Sequence, residues 1–450
     1  MSVPGFLEQA WRALGEPTEH RALIEASPLP ALASPLPVAR LVQDSVTAAS
    51  LAASLLAGGR TVRVAPARVW TAVSSDKHFR SDGEPPAVWA ELSGFWRTAD
   101  GWVRTHANYP HHRDRLLRLL GLPAGAVGAD LADALAEFTA NELESRAAEA
   151  GAVAVATRSV PDWNAQPQAR AIRSTPLIGV QGGDAGQIGQ RRPAAPLAGT
   201  RVLDLSRVIA GPVATRTLAL FGADVLRVDS PRLTEPEWQH LDTGASKRST
   251  LLDFADRRDL ERVHELLDSA DVLLCGYRPG SLDRYGLDRD ALRESHPELV
   301  IGSLSAWGEV GPWAGRRGFD SIVQAASGIA QLCADAEGIP GALPVQALDH
   351  ASGYFLAAGI MSALRREGGA VVTVALARTA QALLDAERPG ETSARPPKPS
   401  LVDYTVGAHR ITVSRPAPGY DAGPQNWPAP PRRWGADPAE WLGPAPRGRL

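Results

Sequence analysis

Asp349 stands thirty residues after Phe319, in a stretch that opens Gly318-Phe319-Asp320 and closes Gln346-Ala347-Leu348-Asp349-His350. A carboxylate placed just before a helix rich in small residues can attack an activated acyl group as a nucleophile. Its ordinary pKa, about 3.9, makes it an anion at neutral pH without a general base. If His350 begins the helix, free N–H groups of the first turn favour that anion and an oxyanion beside it. The same placement also serves a plain helix N-cap. His106, His111 and His112 do not form a metal set, because Asn108-Tyr109-Pro110 breaks any helical spacing and no carboxylate completes it. The expectation there is a surface loop and no metal. Gly308-Glu309-Val310-Gly311 lacks the spacing and the lysine of a phosphate loop and reads as a turn. Cys275 falls inside a strand pattern and reads as a small buried residue rather than a reactive thiol.

The elements that must position Asp349 follow an alternating pattern from Leu197 onward. Strands are expected over 200–206, 223–229, 271–277, 299–305 and 370–377, with helices over 211–221, 256–269 and 288–296 between them. This repetition defines an α/β fold, a doubly wound parallel Rossmann-like sheet whose ligands bind just beyond the carboxyl ends of strands. Asp320 is expected to cap a helix running through Ile329, and Asp349 a helix running to Arg366. Upstream, Phe95 to Thr105 reads as a hairpin turning at Asp100-Gly101, with helices near 113–120 and 130–150 and a strand at 153–156. The organisation expected is an N-terminal helical segment, 1–85, possibly part of the large domain; a smaller α+β domain, 86–178; a Gly/Gln-rich linker, 179–190; the Rossmann-like domain, 191–387; and a Pro/Gly-rich tail, 388–450, strand-like only at 404–413.

Composition bounds the function. The chain has 450 residues, 44% hydrophobic and 22% charged, with a net charge of −3. That balance fits a folded protein and argues against a nucleic-acid partner. Lysine occurs only at 77, 247 and 398, so an arginine gains functional weight from its position and not from its type. Two cysteines, Cys275 and Cys333, are too few for a disulfide scaffold, and a cytoplasmic location is expected. No basic leader precedes an apolar run and no run is long enough to span a bilayer, so no membrane association is expected.

Several stretches, in order, carry a resemblance. They are Arg201 to Pro212 (RVLDLSRVIAGP), Phe221 to Asp229 (FGADVLRVD), Lys247 to Asp253 (KRSTLLD), Tyr277 to Gly286 (YRPGSLDRYG), Glu309 to Pro312, Gly318-Phe319-Asp320, and Asp349. From Leu197 to Leu384 the chain resembles the family III CoA-transferases, the CaiB/BaiF-type group that includes formyl-CoA and carnitine CoA-transferases and α-methylacyl-CoA racemases. The resemblance implies a transferase that moves CoA between carboxylic acids through an aspartyl acyl-anhydride and an aspartyl-CoA thioester, with Asp349 taking the acyl group. It implies coenzyme A as cofactor-substrate, acyl-CoA and carboxylic acid as substrates, and a homodimer. CoA contacts carried over by position are Val208, Ile209 and Ala210; Leu252, Asp253, Phe254 and Ala255; Gly276, Tyr277 and Arg278; Arg284; and Arg317, Gly318, Phe319 and Asp320. Arg284 and Arg317 are the expected partners of the CoA phosphates.

Three departures matter. Phe319 stands where family transferases can carry Tyr and racemases His; Phe cannot carry a proton, which lowers the racemase reading. Gly276 replaces the Asn that usually precedes the Arg-Pro-Gly loop. The Phe95 to Arg170 unit resembles the family's small domain but precedes the catalytic half instead of following it, a rearranged or truncated domain order. A non-catalytic CoA-binding or partner subunit of the same fold is the alternative.

Overall fold

The computed structural model describes residues 4–184, 192–389 and 395–443. Its centre is a seven-stranded sheet built from β1 (Gly179–Asp184), β2 (Arg201–Leu205), β3 (Asp224–Asp229), β4 (Arg248–Leu251), β5 (Val272–Cys275), β6 (Val300–Ser305) and β7 (Glu367–Ala375). The spatial order is β1-β7-β6-β5-β2-β3-β4. Every pairing is parallel except β7 with β1, which is antiparallel. The strands are dense in Val, Leu and Ile because helices cover both faces, so neither face needs to be polar. From β2 the chain winds outward through β3 and β4, then crosses back to lay β5 on the other flank of β2. The carboxyl ends of β2 and β5 therefore form a topological switch point, where an open α/β sheet leaves a crevice.

The linker expected at 179–190 is in part a strand. Residues 179–184 pair with β7 from Thr373 back to Glu367, while 185–190 lie outside the described residues. The expected helix at 130–150 is two helices, Gly128–Ala136 and Ala140–Ala150, the second capped by the Thr139 hydroxyl. The helix expected from Asp320 to Ile329 stops at Ala326, and Gly328, with φ 91°, turns the chain before a short helix Ile329–Leu332. Residues 404–413 belong to a hairpin of Leu401–Val406 and His409–Ser414, whose second strand pairs with Arg80–Ser81.

The helix Ala347–Ala363 is buried along its whole length. It crosses the helix Ala210–Leu220 so closely that a Cβ on Gly353 would lie 2.5 Å from the Ala210 carbonyl oxygen. Only glycine permits that approach, and it sets Asp349, one turn earlier on the same face, over the carboxyl end of β2. On its other side the helix packs against Val38–Leu56, itself almost entirely buried.

The strands Phe95–Arg97, Trp102–Thr105 and Ala154–Ala156 form a separate antiparallel sheet with its own small core around Val103, Leu116, Leu131 and Leu143. It is fastened to the large sheet by buried polar contacts. Glu144 receives Arg158 at 2.8 Å and Arg316 at 3.1 Å. Trp163 Nε1 donates to Gln381 Oε1 at 3.0 Å, and Gln168 Nε2 donates to the Trp307 carbonyl at 2.8 Å.

Candidate active site

A cavity of about 280 Å³ opens at the switch point. Its floor comes from residues just after strands: Arg207, Val208 and Ala210 after β2; Gly276, Tyr277 and Arg278 after β5; Ala306 after β6; Leu376 after β7. Arg317, Gly318 and Phe319 close one side and Asp349 the inner end. Val208 holds φ at 72°, a region that β-branched residues avoid and that costs on the order of 1–3 kcal/mol. Its N–H is fixed on Glu235 Oε1 at 2.7 Å. Glu235 is itself buried in an ion-pair network with Arg227 and Asp229. The strained turn is thus held from behind by charges locked in the core.

Asp349 is not an N-cap. The helix begins at Ala347, so Asp349 is its third residue, 6% exposed and facing the cavity. The N–H groups expected to favour its anion are taken by another carboxylate. Asp320 Oδ2 accepts from Leu348 N at 2.9 Å and from Asp349 N at 3.0 Å, and Oδ1 accepts from Gln324 Nε2. Asp320 thereby caps the Asp349 helix from outside it, while Phe319 is the N-cap residue of its own helix, Asp320–Ala326. Burial pushes the Asp320 carboxyl up to about 6 against those hydrogen bonds. Asp349 is driven well above the ordinary carboxylate range, by burial first and by the Asp320 charge second. Two carboxyl groups so close and so dry do not both ionise readily. The pair therefore works against the ionised Asp349 that its ordinary pKa leads one to expect, and the hydrogen bonds favour the charge on Asp320.

The histidines are not a surface loop. His106 and His112 are 5% and 6% exposed and enclose Phe319. The His106 ring stacks on Phe319 with centroids 3.7 Å apart and planes 5° apart, and His112 meets its edge at 5.6 Å. Burial, reinforced by Arg104, drops the His106 pKa to about 3; burial, reinforced by His111 and His106, drops that of His112 to about 2. Burial thus favours the neutral form of both imidazoles, which wall Phe319 on two sides. Tyr109, His111 and His112 share the cavity with Asp349, so the segment that precedes the large sheet in sequence completes this wall within one chain.

Of the residues singled out in the sequence, Val208, Ala210, Gly276, Tyr277, Arg278, Arg317, Gly318, Phe319 and Asp349 line the cavity. Ile209 lies between two of them as the N-cap of Ala210–Leu220. Asp320 supports Asp349 from behind. Leu252, Asp253, Phe254, Ala255 and Arg284 lie apart, beyond β4 and on the adjoining loop. There Phe254 packs edge-on against Tyr285, Arg284 donates to Tyr285 Oη and Asp253 pairs with Arg232. Gly276 has a steric reason: a Cβ there would lie 2.9 Å from Ser206 Cβ. Cys275 is a half-buried strand end, not the fully buried one expected, and burial pushes its thiol up to about 11. Among the described residues no helix is long and apolar enough to cross a membrane. Sequence reasoning missed Tyr109, His111, His112 and Arg207; the one available signal was the crowding of aromatic and imidazole rings at 106–112, whose partner Phe319 is remote in sequence.

The class defined so far is a doubly wound α/β protein with a buried carboxyl at its switch point and cations at the cavity wall. Residues 197–403 match the model of CoA-transferase family III. Over 196 residues the chain is 35% identical to "Probable fatty acyl-CoA transferase Rv3272" of Mycobacterium tuberculosis, covering 40% of this chain and 50% of that protein. Over 212 residues it is 31% identical to "Succinyl-CoA:glutarate CoA-transferase" of Homo sapiens, covering 43% of this chain and 48% of the relative. A crystal structure of the Mycobacterium tuberculosis protein aligns at 34% identity with a TM-score of 0.40, over 42% of this chain and 56% of that one. The chain spans about half the length of the curated relatives it matches.

Proposed function

We propose that the protein is a CoA-transferase in which Asp349 carries the acyl group between CoA and a carboxylic acid. The observation that carries this reading is convergence: family stretches far apart in sequence meet in one cavity with Asp349 at its inner end. In this reading residues 86–178 serve as the small domain of the module at 191–387, and the working unit is a cytoplasmic homodimer.

The chemistry balances without a metal or redox partner. The Asp349 carboxylate attacks the thioester carbonyl, the C–S bond breaks, and CoA leaves as thiolate, giving a mixed anhydride. The thiolate attacks the aspartyl carbonyl and expels the donor carboxylate, leaving an aspartyl-CoA thioester. The acceptor carboxylate attacks that thioester and frees the thiolate again. The thiolate takes the acyl group from the new anhydride and restores Asp349. Each step exchanges one carboxylate or thiolate for another, so no proton moves once Asp349 is ionised. Losing that first proton to solvent through the cavity is what the Asp320 pair makes harder, and transfer is expected to quicken as pH rises. CoA would lie with its thioester end at Asp349, its arm along Gly276, Tyr277 and Arg278, and its phosphates toward arginines at the cavity mouth. Phe319, walled by two neutral imidazoles, offers no acid or base for racemisation.

The test is intact mass spectrometry of wild type and Asp349→Ala after exposure to a panel of acyl-CoAs with hydroxylamine. A hydroxamate at Asp349 in the wild type, absent from a folded variant, is the expected result. Full transfer by Asp349→Ala would refute the mechanism, and CoA binding without any adduct would favour the non-catalytic subunit.

A further inference from the structure

The cavity mouth holds more positive charge than its own sheet supplies. Arg278 and Arg317 line the cavity from the family stretch, and Arg115, on the helix Pro110–Leu119 of the small sheet's segment, stands beside Arg317 just outside that lining. Arg115 and Arg317 reach over the same backbone: a Cβ on Gly151 would lie 2.9 Å from Arg317 Nη1 and 3.3 Å from Arg115 Nη1. Among the described residues no carboxylate lies within ion-pair distance of Arg115, Arg278 or Arg317. Among the described residues Arg115 donates to the Gly151 carbonyl at 3.3 Å and Arg278 to the Gly315 carbonyl at 2.9 Å. Neighbouring arginines are treated differently, since Arg316 and Arg158 share Glu144 and Arg227 is locked on Asp229. Arg317 registers the imbalance: burial, then repulsion from Arg278 and Arg115, brings its pKa down to about 10.

The same helix turns its first residues to the cavity. Pro110 occupies the first helical position, and Tyr109, His111 and His112 line the wall. Two buried polar atoms on this turn, Tyr109 Oη and His112 Nδ1, have no hydrogen-bond partner. Unpaired guanidinium groups, a positive helix end and unsatisfied polar atoms together describe a site short of an anion.

We propose that Arg115 and His111, on the helix Pro110–Leu119, join Arg278 and Arg317 as a clamp for the phosphate groups of CoA, supplied by the same chain from outside its family-matched stretch. This rests on the CoA-transferase reading. Phosphate is the fitting occupant because forked guanidinium donors match its oxygens two at a time, and phosphates are the anionic groups CoA carries. An incoming phosphate also relieves the mutual repulsion of the arginines.

The experiment is calorimetric titration of the full chain with CoA, dephospho-CoA, pantetheine, adenosine 3′,5′-bisphosphate and succinate, for wild type, Arg115→Gln, Arg115→Lys and Arg278→Gln. Arg115→Gln is expected to weaken CoA roughly tenfold to a hundredfold, the range of a lost charge-assisted hydrogen bond, and to leave pantetheine unchanged. Arg115→Lys should recover part of the loss, and CoA binding should weaken with salt less in Arg115→Gln than in wild type. Unchanged CoA affinity in Arg115→Gln beside a weakened Arg278→Gln overturns the clamp and leaves the CoA reading standing. Succinate binding that depends on Arg115, with bisphosphate binding that does not, overturns phosphate as the occupant. A wild type that binds neither CoA nor pantetheine overturns the functional reading itself.

Discussion

Asp349→Asn is expected to make the protein more stable at neutral pH. Asp320 Oδ2 lies 3.0 Å from the Asp349 amide nitrogen, inside a buried site. The Asp320 charge raises the Asp349 carboxyl, and at an effective dielectric constant of about 20 two charges roughly 5 Å apart repel by about 3 kcal/mol. Asparagine removes the repulsion and the burial of one carboxylate. Among the described residues the Asp349 carboxyl has no recorded hydrogen bond, so the amide forfeits none. Because the folded-state pKa of Asp349 is raised, its favourable contribution is complete below the unfolded value of about 3.9 and is lost as pH rises through the folded one. The variant's gain follows the opposite course: near zero at pH 4 and about 2–3 kcal/mol at pH 8. Denaturant unfolding of both proteins at the two pH values measures it. A variant less stable than wild type at pH 8, or a gain equal at both pH values, would refute the like-charge argument.

Asp320→Ala removes the acceptor for Leu348 N, Asp349 N and Gln324 Nε2. It is expected to cost about 2–4 kcal/mol in denaturant unfolding, and a loss below about 0.5 kcal/mol would show that the outside cap does not hold the helix. The milder Asp320→Asn should move the pH dependence of transfer to lower pH by relieving Asp349, and an unmoved profile would argue against the pair. Gly276→Ala drives a methyl to 2.9 Å from Ser206 Cβ at the switch point. Its expected cost is about 1–3 kcal/mol, together with weaker CoA binding by titration; a neutral result in both would mean that the turn yields freely.

Much of the large sheet was legible because it rests on local rules. Val202-Leu203 and Val272-Leu273-Leu274 are short apolar runs bounded by polar turns, and the structure has strands at both. The spacing of matched stretches also led to Asp349 before any geometry. Its chemical state was not legible, because it depends on Asp320, which approaches across the start of a different helix. The same limit hid the imidazoles: His106 and His112 look like loop residues until Phe319 arrives between them from the far side of the chain. At Gly276 the sequence shows only a departure from the usual Asn, whereas the structure shows the nearness of Ser206. In each case the deciding neighbour is remote in sequence, and no periodicity or cap signal records it.

The packing of Val38–Leu56 on Ala347–Ala363 has a consequence for how the chain is made. The first helix leaves the ribosome when its partner is still hundreds of residues from being translated. At about 5–20 residues per second, its apolar faces wait on the order of tens of seconds for their cover. Pairing of Gly179–Asp184 with Glu367–Ala375 delays closure of the sheet in the same way. With so many of its contacts distant in sequence, this fold belongs among slow folders. Its nascent N-terminal third is a natural client for a chaperone that shields apolar helices, because the helix that carries Asp349 emerges only late in synthesis, with Leu376–Asp385 alone among the described α-helices behind it.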